Sequence, residues 1–337
     1  MSTPGSSGEL GGQPLATSSN APEASAAGGP AGDAAQLELS IVIPSWNTRD
    51  LLRVCLRTIA EADTPEHEII VVDNASADGS ADMVAAEFPD VRLIREDTNT
   101  GFARGCNIGI AAATGRFVLI HNADTEVYPD SIRLLLDFLR ANPAYGAAAP
   151  RLVNADGSTQ GGCMAFPGWW TPLFFGTPLE RWFPNSPELK RYFLRAFDHE
   201  EDCDVDQPPA ACFLVRHDVL REVGAFDEQF WLFFNDVDLS LRLSKAGYRT
   251  RFVADARVMH HVGASTSQFQ AMHVEWQKNR LAYYRKHFGK LGGAWVKACV
   301  GLTFWDYRIT QGWRKLRKRP HEPVEPMRAA YQEFKRL

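Results

Sequence analysis

Hydrophobic positions along the first part of the chain follow two alternating patterns. Short apolar runs, LELSIVIPSW, HEIIVVDNAS, VRLIRE and RFVLIHNAD, each predict a buried strand. The segments between them, such as DLLRVCLRTIAEA, place apolar residues three and four positions apart and predict helices. Strand and helix alternate four times with short connections. This predicts parallel crossovers and therefore a doubly wound, mostly parallel α/β sheet flanked by helices.

A second regular block follows an aromatic, proline-rich stretch, GWWTPLFFGTPLERWFP, which predicts a folded loop or short helices. From residue 211 the pattern predicts a strand, a helix, a loop, a helix beginning at Leu239 and a final strand. We expect the two regular blocks to form one continuous domain over residues 38–290.

The two ends of the chain differ from this domain in composition. Residues 1–37 contain mainly Gly, Ser, Ala and Pro, so they cannot bury enough apolar surface to fold and are expected to be disordered. Residues 291–337 begin with an apolar, tryptophan-bearing stretch and continue into five basic residues within 314–319. This predicts a basic amphipathic helical extension lying on an anionic membrane surface. The alternative is a packing helix with a solvated basic tail.

Composition argues against several classes of protein. The formal net charge of −5 argues against nucleic-acid binding, which needs a basic face. There is no uninterrupted apolar run of about 18 residues, so no membrane-spanning helix is expected. The six cysteines form no CxxC pair and are expected to be reduced thiols. We therefore expect a cytoplasmic protein, peripheral on the inner face of the plasma membrane.

Polar residues follow three of the four predicted strands, where an open α/β sheet binds its ligands. Pro44 and Trp46 follow the first strand, Asp73 the second, and Asn122 and Asp124 the fourth. We expect these residues to converge at one edge of the sheet. The Asp73 carboxylate could accept hydrogen bonds from a ribose hydroxyl or a base, or it could instead cap the following helix. The oxygens of Asn122 and Asp124 could face one divalent cation.

A glycine-rich stretch, NTGFARGCNIG, lies between the third and fourth strands. It matches neither GxGxxG nor GxxxxGK[ST], so it supports neither a Rossmann nor a P-loop assignment. Gly101 and Gly105 allow the backbone to approach a ligand closely, and Arg104 could meet a phosphate. A tight turn with helix packing on the sheet would explain the same glycines.

Acidic residues and histidines of the second block complete the candidate site. Asp236 directly follows the apolar run FWLFF, whose surroundings would raise the pKa of its carboxyl and suit it to act as a general base. Asp238 or Asn235 could instead cap a helix. His260 and His261 follow the last strand, where a neutral imidazole would complete a mixed nitrogen and oxygen metal site.

Six motifs occur in the order seen in the family 2 glycosyltransferases with the GT-A fold: SIVIPSWN, IIVVDNASADGS, NTGFARGCNIG, LIHNADTEV, GAFDEQFWLFFNDVDLSLRLSKAGYR and VMHHVGAS. The chain most resembles the bacterial rhamnosyltransferase-like members. The resemblance implies inverting transfer of a sugar from a nucleoside-diphosphate donor to a glycan or lipid-linked acceptor in cell-surface polysaccharide synthesis. The first candidate donor is dTDP-rhamnose. Residues 38–150 would form the nucleotide-sugar half, and residues 151–290 the half holding the acceptor and the catalytic base.

The resemblance also implies individual roles. Asp236 corresponds to the catalytic base, and Asp124 and His260, rather than His261, to ligands of Mg²⁺ or Mn²⁺. Asn122 replaces the first acid of the family's D-x-D motif, so we expect a lower affinity for the metal. The implied donor-binding residues are Pro44, Trp46, Asp73, Asn99, Gly101, Arg104, Asn107 and Asn122.

Two other functions are left open by the sequence. A metal-dependent nucleotidyltransferase would share the nucleotide pocket, but it would ordinarily need two strong acidic ligands and a basic phosphate-binding loop, and residues 98–115 contain no lysine. A non-catalytic sugar-binding module would be expected to have lost its base, whereas Asp236 is present.

Overall fold

A mixed sheet lies at the centre of the computed structural model, which describes residues 37–261, 272–320 and 323–337. The segment 1–37, for which we expect disorder, lies outside the described residues except for its last residue. The strands found in the described residues are β1 (Leu39–Ser45), β2 (His67–Asp73), β3 (Arg92–Arg95), β4 (Phe117–His121), β5 (Thr125–Val127), β6 (Tyr145–Val153), β7 (Cys203–Asp204), β8 (Cys212–Arg216) and β9 (Arg249–His260).

Helices connect these strands and extend the chain beyond them. The helices within the described ranges are α1 (Arg49–Glu61), α2 (Ser80–Glu87), α3 (Phe102–Ala112), α4 (Ser131–Ala141), α5 (Thr171–Phe174), α6 (Pro178–Trp182), α7 (Pro187–Tyr192), α8 (His217–Val223), α9 (Asn235–Lys245), α10 (Met272–Leu316) and α11 (Glu325–Arg336).

The first half of the sheet is the parallel layer that the sequence predicts. Its strands lie in the order β3-β2-β1-β4, and each neighbouring pair is parallel. The predicted strand β1 extends one residue beyond Pro44, but its pairing with β4 ends at Val42, so the missing N–H of the proline disrupts no bond to β4. The carboxyl ends of β1, β2 and β4 therefore lie side by side.

The second half of the sheet reverses direction. Strand β8 runs antiparallel to β4 and to β6, while β9 pairs parallel with β6 and antiparallel with β5 and β7. The antiparallel pairing of β5 with β9 brings the segment that follows β4 next to the carboxyl end of β9. Two motifs more than a hundred residues apart in sequence thus meet at one edge of the sheet.

Strand residues of β1, β4 and β8 are buried on both faces, as their continuous apolar runs predict. Ile41 and Leu119 belong to the core cluster under α1 and α4. Val42, Val118 and Phe213 belong to the cluster on the opposite face, which α3, α8 and α9 cover. This double burial fixes the strand ends that carry the polar residues.

Helix α9 begins at Asn235, four residues earlier than the predicted start at Leu239. Phe234 adopts a left-handed conformation with φ 64°, which turns the chain directly into the helix. Asp236 and Asp238 therefore both lie in the first turn, where the helix dipole favours negative charge. No side chain caps the helix, so the interpretation of Asp238 or Asn235 as its cap is wrong.

The C-terminal part of the chain is helical, as predicted, and packs on the sheet domain. Helix α10 is interrupted at Gly289, whose φ of 67° and ψ of −163° are not helical and favour glycine. Tyr283 and Tyr284 of α10 lie in a core cluster with Phe230, and Phe334 of α11 joins the same cluster. The division of the chain at residue 290 stays a prediction. Within the described ranges, no helix has both the length and the apolar character needed to cross a membrane.

Candidate active site

The first side of the candidate site lies where β1 and β2 end and α3 begins. A Cβ added to Gly105 would lie 3.2 Å from the Cβ of Pro44 and 2.9 Å from Nδ2 of Asn74. The Asn74 Nδ2 group donates a hydrogen bond to the Gly101 carbonyl oxygen (3.3 Å), and Thr100 Oγ1 donates to Asn74 Oδ1 (2.8 Å). The glycine-rich stretch is thereby fastened to the strand ends.

Asp73 is buried at the end of β2. Its Oδ2 accepts a hydrogen bond from the backbone N–H of Ser76 (3.0 Å), while Oδ1 has no hydrogen-bond partner among the described residues. Asp78, not Asp73, accepts from the backbone N–H of Ser80 (3.0 Å), where α2 begins. The capping interpretation of Asp73 is therefore wrong, and one buried carboxylate oxygen can accept from a ligand. Trp46, which follows β1, is half-buried.

Gly101 lies in direct contact with the aromatic run of the second block. It has φ 84°, and a Cβ there would lie 2.4 Å from Cδ1 of Trp231 and 2.6 Å from its carbonyl oxygen. The backbone N–H of Phe102 donates to that carbonyl oxygen (2.8 Å), and Asn99 Oδ1 accepts from the Gly101 N–H (3.0 Å). Both the conformation and the space at this position require glycine.

We expect Gly101→Ala to destabilise the fold by about 1–3 kcal/mol through backbone strain, and further through the clash with Trp231. Gly157→Ala is the matched control, because Gly157 also has a positive φ (82°) but no atom lies within 4 Å of an added Cβ. Chemical denaturation of both variants separates the two effects. Equal destabilisation of the two variants would contradict the contact with Trp231.

Arg104 and Asn107 of α3 face the loop that precedes α9. The Asn107 side chain donates to the Phe226 carbonyl oxygen (2.8 Å) and accepts from the Phe226 N–H (2.9 Å). Arg104 is exposed, with Nη1 3.9 Å from Oε2 of Glu228. Asn107 thus braces α3 against this loop, and contact of either side chain with a donor stays a prediction.

Asp124 and His260 lie next to each other on the second side of the site. In the β5–β9 pairing Thr125 lies opposite His260, and His260 Nε2 is 3.6 Å from Oδ1 of Asp124. His261 points elsewhere, with Nε2 2.7 Å from Oε1 of Glu126. The structure therefore places His260, not His261, beside the Asp124 carboxylate.

Gln160, which the sequence patterns do not single out, orients His260. Its Nε2 donates to the His260 carbonyl oxygen (2.6 Å), so its Oε1 faces Nδ1 of the imidazole (3.2 Å). An amide oxygen only accepts, so the Nδ1 of a neutral His260 carries the proton and Nε2 presents its lone pair toward Asp124. Burial lowers the pKa of His260, although Asp124 acts in the opposite direction.

The neighbourhood of Asp124 offers further atoms suited to a divalent cation. Oδ1 of Asn122 is buried and has no hydrogen-bond partner among the described residues. Burial lowers the pKa of the adjacent His121 to about 3, which keeps this imidazole neutral and adds no repelling charge. Across the described ranges, no group of three or more His, Cys, Asp or Glu side chains could hold a metal ion. A carboxylate, an imidazole nitrogen and an amide oxygen nevertheless fit Mn²⁺ or Mg²⁺ as a partial ligand set.

Asp236 is half-buried in the first turn of α9. Burial raises the pKa of its carboxyl above the usual value, while the backbone N–H groups of Val237 (2.8 Å) and Ala210 act in the opposite direction. Ala211, the next residue, accepts a hydrogen bond from the N–H of Asn122 (2.9 Å). Two consecutive alanines therefore link the carboxylate of α9 to the segment that carries Asp124.

Asp238, two residues further along α9, has a different environment. It is fully buried, and its carboxylate accepts from Arg242 (2.8 Å), Lys286 (2.7 Å) and His287 (2.7 Å). Burial alone would raise the pKa of Asp238, but the hydrogen bonds from these three side chains lower it to about 2. Asp238 therefore joins α9 to α10 as a permanent anion, whereas burial disfavours the charged form of the Asp236 carboxyl.

Comparison with known proteins identifies the chain. The family model for glycosyl transferase family 2 matches residues 40–224, which is more than half of the sequence. The chain belongs to this family. Its enzymes are glycosyltransferases, so the assignment favours this class over a nucleotidyltransferase or a non-catalytic sugar-binding module.

One relative supports the rhamnosyltransferase-like character of this glycosyltransferase. The N-acetylglucosaminyl-diphospho-decaprenol L-rhamnosyltransferase of Mycobacterium tuberculosis is 28% identical over 250 residues, covering 70% of this chain and 80% of the relative. The name of this relative specifies L-rhamnose as its transferred sugar and N-acetylglucosaminyl-diphospho-decaprenol as its acceptor.

Two solved structures share the fold of this glycosyltransferase. The mannosyltransferase PcManGT from Pyrobaculum calidifontis, in complex with GDP-Man and Mn²⁺, has a TM-score of 0.52 and 17% identity, with coverage of 89% of this chain and 85% of that protein. S. aureus TarS, in complex with UDP-GlcNAc, has a TM-score of 0.51 and 16% identity, with coverage of 78% and 70%. These likenesses confirm the predicted GT-A fold.

The aromatic run FWLFF of this glycosyltransferase is divided between the core and the site. Phe230 and Phe234 are buried in the core cluster formed with α10, whereas Trp231 contacts Gly101. Two aromatic rings of the run belong to the core, and one packs against the candidate donor segment.

Proposed function

We propose that this glycosyltransferase transfers a sugar, with inversion, from a nucleoside-diphosphate donor to a hydroxyl of a glycan or lipid-linked acceptor in cell-surface polysaccharide synthesis. The first candidate donor is dTDP-rhamnose. The observation that supports the proposal is the link between the Asp124–His260 pair and the Asp236 carboxyl, whose pKa burial raises, through Ala210 and Ala211. The name of the Mycobacterium tuberculosis relative supports both the sugar and the class of acceptor.

In this proposal the donor nucleoside lies against the ends of β1 and β2. The buried Oδ1 of Asp73 accepts a hydrogen bond from a base N–H or a ribose hydroxyl, which satisfies an otherwise unpaired acceptor. Pro44 and Trp46 contribute apolar surface at the same edge. The backbone around Gly101 lies beside the diphosphate, and Arg104 is exposed nearby to approach its charge.

Asp124, His260 and Asn122 would hold a divalent cation together with the donor. When bound, the cation stabilises the charge that develops on the leaving diphosphate. The imidazole nitrogen in the set is more typical of Mn²⁺ than of Mg²⁺, which prefers oxygen ligands. The solved structure of PcManGT contains Mn²⁺, in agreement with this choice.

Asp236 acts as the general base in the proposed reaction. The acceptor oxygen attacks the anomeric carbon, its bond to that carbon forms as the carbon–phosphate oxygen bond breaks, and the nucleoside diphosphate leaves. The acceptor's proton passes to Asp236, whose raised pKa suits this step. A single displacement of this kind inverts the anomeric configuration.

We further infer that the enzyme works on the cytoplasmic side of the plasma membrane, as a peripheral protein. A lipid-linked acceptor such as that named for the relative is confined to a membrane, so its hydroxyl reaches only an enzyme held at the surface. The basic C-terminal segment is the part of the chain suited to that contact.

The experiment that tests the proposed function is a donor screen with the purified protein. Nucleoside-diphosphate release is measured for dTDP-rhamnose, UDP-sugars and GDP-sugars, with a lipid-linked N-acetylglucosaminyl diphosphate as acceptor and with Mn²⁺, Mg²⁺ or a chelator. We expect release from dTDP-rhamnose that requires both acceptor and cation. Release from no donor under these conditions would contradict the proposal.

A further inference from the structure

Exposed large apolar side chains are concentrated in two segments of the described chain. Apart from Val54 and Leu337, they are Trp169, Trp170, Trp182, Phe183, Leu291, Leu302, Trp305, Ile309, Trp313 and Leu316. Four of the tryptophans are more than half exposed, from 57% to 61%. Such a concentration exceeds the scattered apolar residues of an ordinary surface and indicates an interaction site.

The residues of the second segment lie on one face of α10. Leu302, Trp305, Ile309, Trp313 and Leu316 follow each other at spacings of three, four, four and three, which is the repeat of a single helical stripe. The opposite side of the helix is covered, since Phe304 is buried and its ring stacks on Tyr331 of α11 at 4.4 Å. The stripe is therefore an uncovered face of α10, whose last residues, 312–316, are exposed on all sides.

Helix α6 lies beside this stripe and extends it. Arg181 Nη2 is 3.2 Å from Oδ1 of Asp306, and Thr303 Oγ1 donates to the Gly176 carbonyl oxygen (2.9 Å). These contacts fix α6 against the second part of α10.

The end of α6 adds two large exposed rings to the surface. Trp182 is 58% and Phe183 is 56% exposed. Together with Phe174 and Leu179 they line an apolar surface hollow of about 520 Å³. We call the surface formed by Trp182, Phe183, Leu302, Trp305, Ile309, Trp313 and Leu316 the docking face.

Basic side chains border the docking face toward the end of α10, and the adjacent acid Asp306 is paired with Arg181. The guanidinium of Arg308 lies 5.0 Å from the Trp305 ring, and that of Arg317 lies 5.5 Å from the Trp313 ring. Residues 307–319 contain six basic and no acidic residues. Trp313 and three of the arginines line a shallow hollow of about 330 Å³, whose size and charge suit a phosphate headgroup.

The docking face is connected to the candidate active site by an aromatic layer. The rings of Phe234 and Phe175 both contact Trp276, with centroids 5.6 Å and 5.5 Å away. Phe234 is two residues before the proposed base Asp236, and Phe175 is three residues before α6. Packed aromatic rings therefore join the segment before α6, which carries part of the docking face, to the start of α9, which carries Asp236.

We propose that the docking face binds an anionic lipid bilayer, with α10 lying in the plane of the headgroups. The tryptophans and leucines enter the boundary between headgroups and acyl chains, and the bordering arginines and lysines contact lipid phosphates. This extends the membrane contact beyond the basic segment, to Trp182 and Phe183 at the end of α6. The surface deepens the proposed function, because a bilayer is where a lipid-linked acceptor is found.

The test is flotation of the full chain with vesicles of phosphatidylcholine alone or mixed with phosphatidylglycerol. We expect binding to the anionic vesicles that weakens with salt. Trp305→Ser, Ile309→Ser and Trp313→Ser together are expected to weaken it at least about tenfold. Val54→Ser, on a distant exposed position of α1, is the control and should leave it unchanged. Retained binding by the triple variant would overturn the proposal.

Two further variants test the parts of the docking face separately. Arg314→Glu with Arg317→Glu should weaken binding to anionic vesicles by roughly tenfold or more, whereas the control Arg57→Glu should not. Trp182→Ser with Phe183→Ser should also weaken binding to anionic vesicles. Unchanged binding by this variant would show that α6 is not part of the docking face.

Membrane binding by the docking face can be separated from catalysis and from self-association. Asp236→Asn should bind vesicles like the unaltered protein, so a failed transferase assay does not decide the membrane contact. Concentration-dependent dimerisation without vesicles, lost in the Trp305, Ile309 and Trp313 variant, would overturn the proposal and identify the face as an interface between copies of the chain.

Discussion

Asp236→Asn is expected to abolish sugar transfer while leaving the protein folded and able to bind its donor. The amide keeps the shape of the carboxyl but accepts no proton from the acceptor hydroxyl. General base catalysis contributes about 10²–10⁴-fold to rates, so turnover should fall by at least about a hundredfold. Nucleoside-diphosphate release measures turnover, and calorimetric titration with the free nucleotide measures binding. Turnover close to that of the unaltered enzyme would contradict the assignment.

The same substitution should stabilise the fold at neutral pH. Burial raises the pKa of Asp236, so ionising it in the folded protein costs free energy. That cost is absent below the ordinary pKa of an aspartate, grows as the pH rises toward the raised value, and stays constant above it. Asparagine removes it, so thermal unfolding at neutral pH should occur at an equal or higher temperature. In the unaltered enzyme, turnover should rise with pH through the same raised pKa.

Asp238→Asn is the matched control with the opposite expectation. Hydrogen bonds from Arg242, Lys286 and His287 lower the pKa of Asp238 to about 2 against the effect of burial, so its contribution to stability is present above the ordinary pKa. That contribution is lost as the pH falls toward about 2. The variant removes the carboxylate that accepts the hydrogen bonds of Arg242, Lys286 and His287, so the free energy of unfolding should fall by about 1–3 kcal/mol. A lower unfolding temperature for Asp236→Asn than for Asp238→Asn would contradict the assignment of the stabilising charge to Asp238.

Asp124→Asn is expected to remove most of the affinity for Mn²⁺ and, with it, metal-stimulated donor binding. The substitution keeps the side chain's shape beside His260 but takes away the only carboxylate of the proposed ligand set. Removing a group that merely orients a ligand costs about 10–100-fold, so loss of the charged ligand should cost roughly a hundredfold or more. Mn²⁺ titration followed by electron paramagnetic resonance, with and without nucleoside diphosphate, measures it directly.

Two further variants should lower the affinity for Mn²⁺ less than Asp124→Asn does. Gln160→Leu leaves every proposed ligand in place but releases His260 Nδ1, and should weaken Mn²⁺ binding about tenfold. Glu126→Gln alters the neighbouring pair with His261, which we do not assign to the metal, and should change binding little. If Glu126→Gln weakens Mn²⁺ binding more than Asp124→Asn does, the ion belongs to the other pair.

The parallel half of the sheet could be predicted because its signal is local. Each of the strands β1 to β4 is a continuous apolar run, and each intervening helix repeats its apolar residues within a dozen positions. The helical character of the C-terminal segment was predicted from its composition, an apolar stretch followed by a basic cluster. That composition could not show that α11 returns to place Phe334 in the core with Tyr283, because that contact joins distant residues with no shared pattern.

The candidate site was partly accessible from sequence because its carboxylates and histidines lie in recognisable motifs. Asp124 and His260 were paired by motif alone, and the β5–β9 register gives the physical reason. Gln160 was missed because it lies in an irregular segment, a hundred residues from the imidazole it orients. The start of α9 was missed because apolar periodicity begins at Leu239, whereas the left-handed Phe234 begins the helix earlier.

The ion cluster around Asp238 has a consequence for exchanging parts between related enzymes. Its partners Lys286 and His287 come from the part of α10 before the break at Gly289, so they stay with the sheet domain when a chimaera is joined after residue 290. A chimaera joined at residue 272 would leave the buried Asp238 carboxylate with Arg242 alone of these three partners, unless the incoming helix carried counterparts of Lys286 and His287. A chimaera that exchanges the C-terminal segment should therefore be joined just after Gly289 rather than at the start of α10.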